Sequence, residues 1–146
     1  MTFARRLRWG GLCLAVVLLL AYLREPPWTP RVTSGLSRWE TDEDGVRFRW
    51  TSGRASFFVP SSARKVTIPL RAVPASGDAR PFVVDIWIDE RLADRVVLAD
   101  GSWVTAVERP VPRPRGRRFR RIDLRVDRAW GDWRRGVQVG DIKASD

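Results

Sequence analysis

Phe82-Val83-Val84-Asp85-Ile86-Trp87-Ile88-Asp89 decides the fold. Phe82, Val84, Ile86 and Ile88 recur at every second position, and Val83, Asp85, Trp87 and Asp89 fill the alternate ones. A period of two is that of a β-strand, with one side turned to a core and the other to a wetter surface. The same rhythm extends in both directions. Upstream, residues 65–73 place Val66, Ile68, Leu70 and Ala72 on one face, and Pro69 predicts an edge or bulged strand because it lacks an N–H. Residues 55–59 form a short apolar strand ending at Pro60. Residues 46–51 alternate with Val46, Phe48 and Trp50 on one side. Asp42-Glu43-Asp44-Gly45 reads as the hairpin turn before them, with Gly45 supplying the positive φ and 37–41, including Trp39, as partner strand.

Downstream, Asp89-Glu90 turns into 91–98, and Asp100-Gly101 turns into 103–107. Residues 119–126 place Ile122, Leu124 and Val126 inward; Phe119 is out of phase, which predicts a bulge near Arg120-Arg121. Residues 137–142 form the closing strand. Eight or nine short strands with turns between them predict an all-β, antiparallel, jelly-roll-like sandwich over 38–146. No helical period is found outside the N-terminus.

Residues 1–8 are a basic cytoplasmic flank with Arg5, Arg6 and Arg8, and residues 9–23 (WGGLCLAVVLLLAYL) carry no charge. Arg24, Glu25, Pro26 and Pro27 stop the apolar run. The basic flank predicts a cytoplasmic N-terminus and an extracytoplasmic remainder, in the periplasm or at the cell surface. Fifteen helical residues reach about 22 Å, short of the ~30 Å hydrocarbon core. Snorkelling of Arg8 and Arg24 extends that reach, and Trp9 and Tyr22 sit where interfacial aromatics belong. A transmembrane anchor is expected; a signal peptide is the alternative, although no A-x-A site follows. Residues 24–37, with three prolines, read as a stiff stalk, with the first strand near its end.

The chain has 146 residues, suited to one domain, and its 44% hydrophobic content supports a packed core. It has no histidine and one cysteine, Cys13, inside the apolar run. That removes the usual general base and every Ser-His-Asp or Cys-His arrangement, and no intrachain disulfide can form. No enzyme activity, cofactor or metal is expected; Asp42-x-Asp44-Gly45 lacks the later ligands of a calcium loop. The formal charge is +10. A positive field favours anionic partners such as acidic glycans or phospholipid head groups, and a GC-rich coding sequence gives the same arginine excess with no ligand. Only Lys65 and Lys143 among the 27 basic residues are lysine.

Two constellations carry candidate chemistry. Trp87, flanked by Asp85 and Asp89, offers an aromatic platform with hydroxyl-accepting carboxylates, the elements of a glycan site; the alternative is a loop-covered Trp with two solvated aspartates. Asp85 and Asp89 are ~13 Å apart along a strand, too far to be a glycosidase pair, which needs ~5–9.5 Å. In the loop 109–118, Arg113, Arg115, Arg117 and Arg118 are candidates for gripping phosphates or uronic acids. Beyond it, Arg121, Asp123, Arg125 and Asp127 share one strand face as a self-neutralising ladder. Nucleic acid is excluded as a partner by the expected compartment and the lack of a nucleic-acid module.

Near the C-terminus, Asp132, Arg134, Gly136 and Val137 follow a D-x-R-x-x-G-V-x-V pattern with one residue fewer between Arg134 and Gly136. With Phe48-Arg49-Trp50-Thr51 and the segment around Trp87, this resembles the carbohydrate-binding-like β-sandwich domains of bacterial membrane glycosyltransferases and cell-envelope polysaccharide proteins. The resemblance covers roughly 38–142. It implies a jelly roll in an envelope setting and supplies no catalytic residues. Asp132, Arg134 and Gly136 are expected to be structural, with Gly136 admitting close backbone approach. The expected role is a membrane-anchored accessory or glycan-binding module; the alternative is a domain that docks onto another membrane protein.

Overall fold

The computed structural model describes residues 3–24, 26, 28–73, 80–111, 116–129 and 136–146, with side chains from residue 10 onward. Helix α1 (Phe3–Arg24) precedes a 3-10 turn at Thr29–Arg31 and ten strands: β1 (Ser34–Leu36), β2 (Glu40–Thr41), β3 (Arg47–Pro60), β4 (Lys65–Arg71), β5 (Phe82–Ile88), β6 (Arg91–Leu98), β7 (Val104–Glu108), β8 (Phe119–Val126), β9 (Gln138–Val139) and β10 (Lys143–Ser145). Every pairing is antiparallel, along the path β10–β4–β9–β3–β8–β5–β6, with β7 on β4 and β1 and β2 on β3. The fold is the expected all-β sandwich behind one helix. Helix α1 is long and apolar enough to cross a membrane, with mean hydropathy 1.3 in its apolar window and none of that window buried.

The predicted inward sets meet between the layers. Val66, Ile68 and Leu70 of β4, Val84 and Ile86 of β5, and Ile122 and Leu124 of β8 are fully buried. Each such side chain contributes roughly 1.5–3 kcal/mol relative to exposure. Strand β3 joins the two layers. Its N-terminal part pairs with β2 and β9, and its C-terminal part with β8. Gly53, between them, has φ 89, a left-handed conformation that glycine adopts without steric cost. The short strand expected at 55–59 is therefore continuous with 46–51, because Gly53 bends the ladder without ending it.

Three further expectations are corrected. Pro69 lies in a strand with neighbours on both sides. Its carbonyl accepts from Gly140 N (2.9 Å), and the missing N–H points the same way, into the gap between β9 and β10, so no ladder bond is lost. No bulge interrupts β8, whose register with β3 runs unbroken from Arg125 to Phe119; Arg120 takes the inward position in phase with Ile122. The closing strand is β10, after the two-residue β9. The first strand, residues 34–36, lies near the end of the stalk segment 24–37 and pairs with β3.

Thr51 holds the C-terminal return. Thr51 Oγ1 accepts from Val137 N (2.9 Å) while Thr51 O accepts from Gly136 N (2.7 Å). A Cβ at Gly136 would collide with Thr51 Oγ1. At the far end of the core, Glu108 (8% exposed) and Arg120 (4% exposed) face inward. Arg120 Nη2 donates to Val111 O (2.6 Å), while Glu108 Oε1 is buried with no partner among the described residues. Burial pushes the Glu108 carboxyl above its ordinary range, and the negative charge of Asp94 adds to the effect.

Gly136→Ala is expected to lower unfolding free energy by about 1–3 kcal/mol through overpacking and loss of the Thr51 bond; an unchanged denaturant midpoint would remove this role. Because the folded state holds the Glu108 proton more tightly than the unfolded chain, the stabilisation is complete below the ordinary carboxylate range and is lost as pH rises through the elevated value. Glu108→Gln is therefore expected to gain stability relative to wild type as pH climbs from mildly acidic to neutral, measured by urea unfolding across pH; parallel curves would refute it.

Candidate functional site

The outer face of β3–β8–β5–β6 carries the site. In antiparallel register, one row across the four strands reads Arg54, Arg125, Asp85, Arg95, and the adjacent row reads Ser56, Asp123, Trp87, Leu92. Strand alternation, with a register shift between Ile86 and Trp87 that brings Leu92 opposite Trp87, puts all eight on the side opposite Ala55, Ile86 and Leu124, which are buried. With strands ≈ 4.8 Å apart, the face is about 14 Å wide from β3 to β6.

Ion pairs fix much of this array. Arg95 grips Asp85 with two bonds, Nε to Oδ1 at 2.6 Å and Nη2 to Oδ2 at 3.0 Å. These bonds hold the Asp85 carboxyl below the usual carboxylate range against a small opposing burial, with the charges of Arg95 and Arg125 adding to them. Asp123 accepts from Ser56 Oγ (2.5 Å) and Arg121 Nε (2.7 Å). The Arg125 guanidinium lies 4.0 Å above the centre of the Trp87 ring, a cation–π stack. The half-buried Trp87 is thus covered by an arginine, and its Nε1 is buried without a hydrogen-bond partner among the described residues. The expected ladder on β8 is partly formed: Arg121 pairs with Asp123, whereas Arg125 stacks and Asp127 accepts from Val83 N (3.1 Å). Arg54 and Arg125 stand directly opposite across the β3–β8 pair, like charge facing like charge.

The sequence-nominated residues separate. Asp85 and Trp87 share the face in register, and Asp89 follows beyond the end of β5. It is the first residue of the two-residue β5–β6 turn, with φ 50, and Glu90 follows at φ 68. Asp89 borders a cavity of about 510 Å³ with Arg117, Arg121 and Arg24. Arg118 O accepts from Ser61 N (2.8 Å), which ties the end of the basic loop to β3. Arg113, Arg115, Asp132 and Arg134 lie outside the described residues. Gly136 makes the close backbone approach expected of it.

Sequence reading missed three features. The Arg54–Arg125 opposition depends on β3–β8 register, which no local pattern reveals. Trp39 carries Arg49 4.5 Å and Arg47 4.8 Å from its ring centre. Burial lowers the Arg49 pKa from its ordinary value, with Asp141 opposing. The buried Glu108 and Arg120 border a second cavity of about 330 Å³; the phase of Arg120 with Ile122 and Leu124 was the available signal. No group of acidic or sulfur ligands suited to a metal ion occurs among the described residues.

No family model matches the chain, and no curated protein does. Among solved structures, it is similar to the CBM36-1 domain of a multidomain xylanase from the hindgut metagenome of Trinervitermes trinervoides, at 14% identity and TM-score 0.46, over 79% of this chain and 90% of that one. It is also similar to a structure of CBM51-2, in complex with GlcNAc, and INT domains from Clostridium perfringens ZmpB, at 15% identity and TM-score 0.46, over 77% of this chain and 27% of that one. A third is the salicylyl-acyltransferase SsfX3 from a tetracycline biosynthetic pathway, at 13% identity and TM-score 0.47, over 78% of this chain and 36% of that one. The membrane glycosyltransferase setting implied by the C-terminal resemblance has no counterpart among these three. Likeness at this level assigns neither a ligand nor a reaction to the chain.

Proposed function

We propose that the chain is a non-catalytic recognition module, anchored by α1 with its N-terminus in the cytoplasm and its sandwich outside, that binds acidic glycan of a bacterial cell envelope through the β3–β8–β5–β6 face. The observation that carries this reading is the opposition of Arg54 and Arg125 beside Trp87. Like charges directly opposite on a sheet repel, and Asp85 is already engaged by Arg95. An anionic group bridging the two guanidiniums relieves the repulsion. A uronic acid supplies such a group together with a ring that can lie along the edge of the Arg125–Trp87 stack, and Asp85 and Asp123 accept from its hydroxyls.

A second reading, docking onto another membrane protein, is supported by β6. Leu92 and Val97 on this strand are 50% and 56% exposed, and among the described residues β6 pairs with β5 alone, leaving an edge that another chain can join.

Full-length protein in nanodiscs is expected to bind a polyuronate such as alginate, with affinity falling as salt rises, and to ignore neutral dextran. Arg54→Gln with Arg125→Gln is expected to weaken binding by roughly tenfold or more, about 1.4 kcal/mol, and Trp87→Ala to weaken it as well. Absence of polyuronate binding by wild type defeats the glycan reading. Cross-linking of a membrane protein through β6, abolished by Leu92→Glu, would establish the docking reading in its place.

A further inference from the structure

We infer that the acidic sugar met by the β3–β8–β5–β6 face is carried by a glycolipid of the leaflet into which α1 emerges; the inference rests on the anchored, glycan-binding reading and names its ligand class. The helix ends at the foot of that face. Arg24, the last residue of α1, borders the cavity of about 510 Å³ together with Phe58 of β3 and Arg121 of β8. Phe58 and Arg121 are partners across the β3–β8 pair, in phase with the residues of the site. Above them come Ser56 with Asp123, beside Trp87, and then Arg54 with Arg125. The opposed arginines thus lie four residues along each strand from the row that meets the end of the helix. At about 3.4 Å per residue, that is a separation of at most about 14 Å.

An arginine that ends an apolar helix sits at head-group depth, its stem in the apolar layer and its guanidinium in the polar one. Trp28, stacked edge-on against Tyr22 at 5.4 Å, marks the same level with an interfacial aromatic pair. Lipid phosphates lie at that level, two rows below Arg54 and Arg125. An anion that reaches the upper row therefore has to be lifted off the phosphates, yet by no more than the height of the face. A short sugar chain on a lipid does this: its acidic unit stands above the head groups and stays within reach. Confinement adds to the match. A ligand in the same leaflet shares one surface with the anchored face, which acts as a high effective concentration, of millimolar order for short tethers. A polysaccharide free in solution has no such gain, so the lipid-linked sugar is the favoured occupant.

Full-length protein is placed in phosphatidylcholine nanodiscs that carry an equal share of sialyl-lactosylceramide, neutral lactosylceramide or phosphatidylglycerol, and alginate binding from solution is measured on each. Sialyl-lactosylceramide holds its carboxylate on its outermost sugar; phosphatidylglycerol gives the disc the same charge at phosphate level. The expected result is competition in sialyl-lactosylceramide discs, with the apparent Kd for alginate raised roughly tenfold over that in phosphatidylglycerol discs. Ten prolines inserted after Arg24 add about 31 Å of stiff chain. They should abolish the competition and leave alginate binding on lactosylceramide discs unchanged. A protein that does not stay with the discs overturns the anchor, and absence of alginate binding on lactosylceramide discs overturns the glycan-binding face; this inference falls with either. Alginate bound equally well in sialyl-lactosylceramide and phosphatidylglycerol discs, or competition that survives the insertion, overturns the glycolipid inference and leaves the anchor and the face standing.

Discussion

The sandwich depends on one strand being held in two sheets at once. Strand β3 runs fourteen residues, pairs with β2 and β9 before its bend and with β8 after it, and turns at a left-handed Gly53. Because both layers hang on the same backbone, their separation is set there and the inward sets of β4, β5 and β8 meet without a gap. The C-terminal return completes the arrangement beside that bend, where Thr51 uses its hydroxyl, N–H and carbonyl to hold Gly136 and Val137. A chain without disulfides thus closes its ends with backbone and hydroxyl bonds, and leaves stability to buried aliphatic groups.

Alternation made the fold legible. The inward residues of 65–72 and 82–88 and the outward place of Asp85 and Trp87 follow from a period of two, because the buried face of these two strands is apolar. What alternation cannot supply is register. Gly53 reads as a break in one dimension and acts as a bend in three. Pro69 reads as an edge marker, yet sits inside a sheet because the gap between β9 and β10 happens to lie opposite it. Asp89 keeps phase with Trp87 in the sequence, and the tight turn at φ 50 sets it beyond the end of β5, where register with the neighbouring strands stops. The candidate site was legible as two residues, Asp85 and Trp87. The arginines that define its charge, Arg54, Arg95 and Arg125, come from three strands that are far apart in the chain.

The preference for arginine over lysine has a structural counterpart. Arg125 lies over Trp87, Arg71 over Trp103 at 4.6 Å, Arg128 over Phe82 at 4.4 Å, and Arg47 and Arg49 both over Trp39. A planar guanidinium can lie on a ring while its N–H groups still point to acceptors, which an ammonium does less well. Arg71 shows this directly: it stacks on Trp103 while Nε donates to Gln138 Oε1 (2.6 Å) and Nη2 pairs with Asp42 Oδ2 (2.9 Å). That one side chain ties the β2–β3 turn, β4 and β9 together. Much of the positive charge therefore covers aromatic surface, and fewer cations are free for ligands than the net charge suggests.

The connection between α1 and the sandwich is short. Nine residues separate Arg24 from Ser34, at most about 30 Å of extended chain, and the Thr29 hydroxyl and N–H both fold back onto Pro26 O at 2.8 and 3.0 Å. For a helix seated in a bilayer, this works as a measuring rod that keeps the sandwich within a shell a few nanometres deep. So tethered, the domain meets only what comes within that distance of the bilayer, and meets it at a nearly constant height.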